Sequence, residues 1–436
     1  MAMRRNPTDV RVERNNHQSR RRWLQLSSLG VLGASMSGWL PHLASRARAA
    51  EGGVQRRKSC ILLWMDGGPS QTHTFTIPEK EPDYGTTKTA VPGIHISEHL
   101  PMLADQMKDL AIVRTMSTGL NNHGAGQYLM HMGYRQNAAI DYPSLGSIVA
   151  RECGTGDGGL PSYINIGSSR VPAKFHRSGA LGPDFAPMML AGSQIENLRP
   201  PIPSRAEARI ELLRQTQAAE GERFKSPQLD AHSASYRKAI ELMNTDQTKA
   251  FDYKDEPAEV RKLYGEGAFG EQCLLARRLV EAGVAVVEVN WGGWDHHGGA
   301  AEPVKKRSPE LDRGFAALIQ DLKQRGLLDS TLVVWMGEFG RGPVAGIGGG
   351  NNGKKGAGHY AKCWTTVFAG AGIKTGQVVG RTTPDAVEVD DHAVSTGDFF
   401  ATICKALEID PQGTYDVAGR PVPYTNTGSR PIAQLF

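Results

Sequence analysis

Cys60-Ile61-Leu62-Leu63-Trp64-Met65-Asp66-Gly67-Gly68-Pro69-Ser70 is the stretch that decides the class of the fold. Its six apolar residues run without polar alternation, which reads as a strand buried on both faces, the habit of a parallel sheet covered by helices. The run ends in a carboxylate and a Gly-Gly-Pro turn, which lets the backbone come close to a ligand. Open α/β sheets bind ligands beyond the carboxyl ends of their strands, so Asp66 stands where chemistry is expected.

Working outward, Leu110 to Val113, Ala285 to Asn290, Thr331 to Met336 and Trp364 to Phe368 read as further strands. Between them, Gly124 to Met132 and Ser144 to Arg151 follow helical patterns. Leu311, Phe315, Leu318, Ile319 and Leu322 have the spacing of an amphipathic helix over 311–325. A last helix is expected over Thr396 to Leu407, with Thr396 or Ser395 as its N-cap. Strands spaced by helices predict an α/β fold: a mostly parallel sheet with helices on both faces, in one domain over residues 55–436. From about 200 to 264 the texture turns to Arg, Glu, Gln and Ala with no strand-like run. Ile210, Leu212, Leu213, Tyr236, Ile240, Leu242 and Met243 form an apolar stripe there, so a helical insertion is expected in place of a disordered linker. No internal repeat is visible.

The start of the chain reads as an address. Ser19-Arg20-Arg21-Arg22-Trp23-Leu24 has the arrangement read by the twin-arginine export machinery, and a mildly apolar stretch from Leu24 to Leu40 follows. Ala47-Arg48-Ala49 then offers a small-x-small cleavage site, so residues 1–49 are expected to be a signal peptide and the mature protein periplasmic or extracytoplasmic. A membrane span needs about 20 strongly apolar residues; this stretch is shorter, diluted by Gly30, Gly33 and Gly38, and followed by Pro41. No stable span is therefore expected in the mature protein. The leader holds nine arginines against Asp9 and Glu13, so the formal +5 of the whole chain becomes about −2 without it. The basic balance thus belongs to the leader and excludes a nucleic-acid footprint. Five widely spaced cysteines with no CxxC pair encode neither a disulfide framework nor a thiolate zinc site. Cys60, Cys363 and Cys404 read as small core residues.

Polar residues gather where strands end: Asp66, then Trp294-Asp295-His296-His297-Gly298, Gly337-Glu338-Phe339-Gly340-Arg341 and Gly358-His359-Tyr360, with Asn121-Asn122-His123-Gly124 before a helix. A lone carboxylate is usually just solvated and a lone histidine usually a structural hydrogen-bond donor. Mixed carboxylate and imidazole donors at neighbouring strand ends suit a divalent transition metal: zinc, manganese or iron.

Met65-Asp66-Gly-Gly-Pro-Ser70, Asn122-His123-Gly, Leu129-Met130-His131-Met132-Gly133-Tyr134-Arg135, Trp294-Asp295-x-His297 and Gly337-Glu338-Phe-Gly-Arg341 followed by Gly-His359-Tyr carry a resemblance. In this order they resemble the sulfatase-like, twin-arginine-exported bacterial family of domain-of-unknown-function 1501, over nearly the whole mature chain. That family is similar to the alkaline phosphatase superfamily, which implies metal-assisted hydrolysis of phosphate or sulfate esters. The resemblance puts Asp66 at the superfamily's metal-bridging aspartate, and Asp295 and His297 near its second metal-binding segment. It puts Glu338 and Phe339 at its Asp-His pair, His359 at its last histidine ligand, and His123 near its covalent nucleophile. There are departures. No Cys-x-Pro-x-Arg or Ser-x-Pro-x-Arg exists for conversion to formylglycine, Phe339 cannot coordinate, and His123 stands where a Ser or Thr is usual. His123 is then either a nucleophile or a further ligand, with Ser117, Thr118, Ser70 and Thr72 as the nearby hydroxyls.

These features imply an exported metal-dependent hydrolase of anionic phosphate or sulfate esters, borne on polysaccharide or lipid. Asp66, Asp295, His297, Glu338 and His359 are the expected ligands. His123, His296 and Arg341 are the expected catalytic groups: His296 as general acid or base, interchangeable with His297, and Arg341 either clamping an oxyanion or forming an ordinary salt bridge. The rival is a catalytically silent metal- or ligand-binding protein that keeps the fold; Phe339 and the missing hydroxyl nucleophile favour it. Gly348 to Lys354 nearly spells a phosphate-binding loop, but Lys355 stands where a Ser or Thr must hold Mg²⁺. That segment reads instead as a glycine-rich lid whose lysines meet an anionic substrate.

Overall fold

The computed structural model describes residues 57–154, 159–167, 171–192, 195, 202–223, 226–348 and 353–436; the leader lies outside them. The main sheet is built from β1 (Ser59–Trp64), β2 (Ala111–Met116), β3 (Tyr163–Ile166), β4 (Met188–Leu190), β5 (Val286–Asn290), β6 (Thr331–Met336), β7 (Trp364–Ala369) and β8 (Gln377–Val379). Their order is β8-β2-β7-β6-β1-β5-β3-β4, so β1 sits near the middle. Its register pairs Leu62 with Glu288 on one side and with Val334 on the other, both parallel. Only β7 runs against its neighbours β2 and β6.

Alternating side chains of β1 feed two cores. Ile61 and Leu63 join one apolar cluster with α1 (Pro101–Asp105), α7 (Ala268–Glu281) and α8 (Ala301–Gln324). Cys60, Leu62 and Trp64 join the other, with α2 (His123–Met132), α3 (Leu145–Cys153) and α9 (Thr396–Ala406). This is the mostly parallel, two-layer-covered α/β sheet that a polar-free strand requires. Ser395 caps α9 in a full capping box with Asp398. All five cysteines are free, and Cys60, Cys273, Cys363 and Cys404 are buried.

Three differences from the sequence reading have physical causes. The helix expected from Leu311 begins at Ala301 and carries Pro309 within it, where a proline ordinarily marks a boundary. Strands β3, β4 and β8 were not anticipated: they have three or four residues each, and Asn165 interrupts the apolar pattern of β3. In the 200–264 region, α4 (Pro203–Arg223), α5 (Pro227–Met243) and α6 (Ala258–Tyr264) are helical, but the apolar stripe is only partly used. Ile240 and Leu242 are buried, whereas Leu212 and Tyr236 lie exposed. Among the described residues no helix is long and apolar enough to cross a membrane.

A buried charge network fastens α7 and α8 to the segment before α6. The guanidinium of Arg277 is fully buried and lies 2.9 Å from Glu256, 2.6 Å from Glu281 and 2.8 Å from Asp321. Arg278 and Arg325 complete the balance of three cations and three carboxylates. Removing one member strands buried charge, at a cost of about 3–5 kcal/mol. Arg277→Met is expected to lose stability on that scale in urea unfolding, whereas Arg381→Met, whose partner Asp390 is on the surface, should leave the unfolding midpoint nearly unchanged.

Candidate metal centre

The centre lies at the carboxyl edge of the sheet and is assembled from loops that leave β1, β5 and β6 and from the start of α2. His123 is the first residue of α2, behind the N-cap Asn122, whose side chain accepts from the Ala125 N–H. His359 lies on a short ribbon in which His359–Tyr360 pairs antiparallel with Gly340–Arg341, so His359 faces Arg341 in register. Asp295 and His297 come from the loop after β5.

Four nitrogens surround one oxygen. Asp295 Oδ1 is 2.8 Å from His297 Nε2, 3.1 Å from His123 Nε2, 3.2 Å from Arg341 Nη1 and 3.3 Å from His359 Nε2. The three imidazoles and the carboxylate offer donor atoms that all lie within 4.8 Å of one another. Metal at about 2.0–2.1 Å from tetrahedral donors places those donors roughly 3.3 Å apart, so the spacing fits a transition metal such as zinc. Burial opposes ionisation of Asp295, but His123, Arg341 and His297 outweigh it and hold the carboxyl down to about 2.

The outer ring nitrogens have partners of their own. His359 Nδ1 lies 2.8 Å from the Asn121 carbonyl oxygen, which can only accept, so Nδ1 carries the proton and Nε2 turns its lone pair inward. His123 Nδ1 lies 2.6 Å from Glu338 Oε1. Glu338 is fully buried and also accepts from the Gly67 N–H at 3.1 Å. Burial pushes its carboxyl up, against the pull of His123. This is the arrangement in which a carboxylate orients a metal-binding imidazole. Phe339 packs against both rings, with centroids 5.1 Å from His123 and 4.7 Å from His359. The residue that cannot coordinate is a wall for two that can.

The expected residues therefore sort into layers. Asp295, His297 and His359 converge, and His123 joins them as a donor. Glu338 meets the cluster through His123. Asp66 is buried and accepts from Gln127 Nε2 at 2.9 Å. Arg341 is fully buried: Nε donates to the Gly356 carbonyl, Nη1 faces Asp295, and Nη2 donates to the His296 and Ala357 carbonyls. Of the two readings open for Arg341, the geometry matches the salt bridge: its donors tie loops together and are not presented to an incoming anion. His296 is pushed down to about 4 by burial and by Arg341 and Arg307, so it is neutral near pH 7 and suited to accepting a hydrogen bond. Ser70 is buried, with Oγ 2.6 Å from His73 Nδ1, and His73 Nε2 is 2.8 Å from Asp83. Lys355 donates to the Glu81 carbonyl and lies 3.7 Å from Asp83, not over the centre; residues 349–352 of the glycine-rich segment lie outside the described residues. Gln127 was not anticipated, and Asn121, expected only as part of the run before α2, acts through its backbone carbonyl. The only local sign of Gln127 is its place one helical turn beyond His123.

The sequence model of the family described as "Protein of unknown function (DUF1501)" matches residues 57–436. No curated protein matches the sequence. Similar solved structures include an alkaline phosphatase from the Antarctic bacterium TAB5 (15% identity, 81% of this chain and 99% of that one, TM-score 0.39). A phosphonate monoester hydrolase of Agrobacterium radiobacter is 12% identical over 87% of this chain and 77% of its own, with a TM-score of 0.40. The PsFucS1 sulfatase from Pseudoalteromonas sp. is 12% identical over 86% and 72%, with a TM-score of 0.36.

The turn after β1 fixes the distance between these layers. Gly67 has φ +112°, and a Cβ there would lie 2.4 Å from the Asp295 backbone nitrogen. Gly93 has φ +84° with open space around it. A left-handed φ costs a non-glycine residue about 1–2 kcal/mol, so Gly93→Ala should lose about that much. Gly67→Ala should lose clearly more in the same thermal melts, because the Asp295 loop must move; equal losses would show that the turn is not tightly packed.

Proposed function

The chain belongs to the DUF1501 family, and within it we propose an exported, metal-dependent hydrolase of phosphate or sulfate esters. The observation that carries this reading is the convergence of three imidazole Nε2 atoms on one carboxylate oxygen at the carboxyl edge of the sheet. His359 turns an Nε2 lone pair toward this oxygen, an arrangement favoured by a positive charge placed among the donors. A divalent ion supplies that charge to all four donors at once. His123, Asp295, His297 and His359 would hold it. When bound, such an ion polarises an ester oxygen and lowers the pKa of a coordinated water.

The protein's own groups divide the remaining work. Glu338 keeps the His123 ring in place, and the Asn121 carbonyl does the same for His359. Arg341 anchors the Asp295 loop and holds its carboxylate ionised. His297 is 55% exposed and leaves one flank of the cluster open to solvent, which suits an anionic ester better than a closed structural site would. Export follows from the Arg20-Arg21-Arg22 leader and is proposed on that ground. The substrate class, esters on polysaccharide or lipid, rests on the sequence resemblance. The rival, a silent metal-binding protein, is favoured by one observation: the Ser70 hydroxyl is buried and engaged by His73.

Metal analysis of the purified protein, paired with a panel of phosphate and sulfate esters, tests the proposal. The wild type is expected to carry metal and to lose hydrolysis on chelation. His297→Ala should lower metal content and reduce turnover by at least roughly 10- to 100-fold, the scale seen for outer-shell partners. Its thermal stability before metal loading should change little, because its side chain is on the surface. A folded, metal-free protein inert on every ester would overturn the proposal. A metal-bearing protein inert on every ester would select the rival.

A further inference from the structure

Helix α2 carries His123, Gln127 and His131 at four-residue steps, on one face of the helix. His123 serves the centre described above. Gln127 donates its side-chain amide to Asp66. His131 lies deeper, where it meets His176 and Glu288 in a second group that neither the sequence nor the proposed chemistry uses. All three are buried, and their donor atoms also lie within 4.8 Å of one another.

The hydrogen bonds around this group determine which atoms face inward. His131 Nδ1 is 2.8 Å from the Gln127 carbonyl oxygen, so Nδ1 holds a proton, and Nε2 faces Glu288 Oε1, 3.2 Å away. Asn290 Nδ2 donates to Asn165 Oδ1 at 2.7 Å, which turns the Asn165 amide nitrogen toward His176 Nδ1 at 3.2 Å. His176 Nδ1 is therefore an acceptor, 3.5 Å from the same Glu288 oxygen. The other Glu288 oxygen is taken by the Tyr163 hydroxyl at 2.5 Å. Two imidazole nitrogens thus face one oxygen of a fully buried carboxylate.

A single proton on one imidazole would relieve one of these contacts. A divalent cation relieves both, taking over the lone pair that the Asn165 amide uses. The separations of 3.2 and 3.5 Å bracket the roughly 3.3 Å between donors on a tetrahedral zinc. The partners behind them, the Gln127 carbonyl on His131 and the Tyr163 hydroxyl on Glu288, are what ligating imidazoles and carboxylates ordinarily have. We propose that His131 Nε2, His176 Nδ1 and Glu288 Oε1 form a second, buried site for a divalent transition metal, structural in role and separate from the solvent-facing centre. Helix α2 joins the two, since Gln127 touches Asp66 with its side chain and His131 with its carbonyl.

Counting metal tests this independently of the first centre. Protein produced in zinc-supplemented medium is expected to hold one zinc when the first centre is disabled by Asp295→Ala with His297→Ala. Adding Glu288→Gln should remove that zinc, and Glu288→Gln alone should lower the wild-type content by one equivalent. A folded Asp295→Ala/His297→Ala protein that binds no zinc overturns the proposal, as does a folded Glu288→Gln protein with unchanged content. Should Glu288→Gln fail to fold, His176→Ala gives the same readout, because it leaves the His131–Glu288 pair intact. Loss of one equivalent supports the site and full retention overturns it. Failure of the first centre alone would appear as zinc unaffected by Asp295→Ala/His297→Ala.

Discussion

Three imidazole nitrogens and a guanidinium converge on a single carboxylate oxygen of Asp295, and the carboxyl edge of the sheet is organised around that contact. The groups come from the loop after β5, the first turn of α2 and both strands of the ribbon 340–341/359–360. None of these segments is held by the sheet's own ladder. They are held by what they share: Arg341 binds carbonyls on two loops, Glu338 binds a ring on α2 and the backbone of the β1 turn, and Phe339 packs under two rings. Charge concentrated at one point substitutes there for hydrogen-bonded secondary structure.

Much of the sheet is legible in the sequence because its central strands are dominated by long apolar runs. Runs such as Cys60–Met65 and Thr331–Met336 leave only one reading, and β1 and β6 lie side by side. Shorter edge strands are not legible: three residues of β4 or β8 carry too little periodicity to distinguish them from loop. The reversed direction of β7 is not written in its composition either, since a buried strand looks alike in both senses. At the centre, Asp295, His297 and His359 are legible as polar residues just past strand ends. The layer a residue occupies is not. Glu338 and Gly67 are 271 positions apart, and only the fold makes them partners. Likewise nothing local separates an arginine that meets substrate from Arg341, whose donors are consumed by loops.

Helix α2 shows how one element can be read at two levels. Its Leu129–Tyr134 end carries motif residues, while its 123/127/131 face is a polar line running from solvent to core. A polar line on a buried helix is costly unless each member is satisfied. Here the first member is satisfied by Glu338, the second by Asp66 and the third by the Gln127 carbonyl and Glu288.

The lone antiparallel strand has a further consequence. Because β6 ends and β7 begins at the same edge, the excursion from Gly337 to Cys363 leaves and re-enters the sheet there, with no crossover helix among its described residues. It delivers Glu338, Arg341 and His359 in one piece. Such an excursion can lengthen, shorten or be exchanged without shifting the register of any strand. Specificity could diversify across relatives by rewriting this one cassette, while the sheet beneath it remained unchanged.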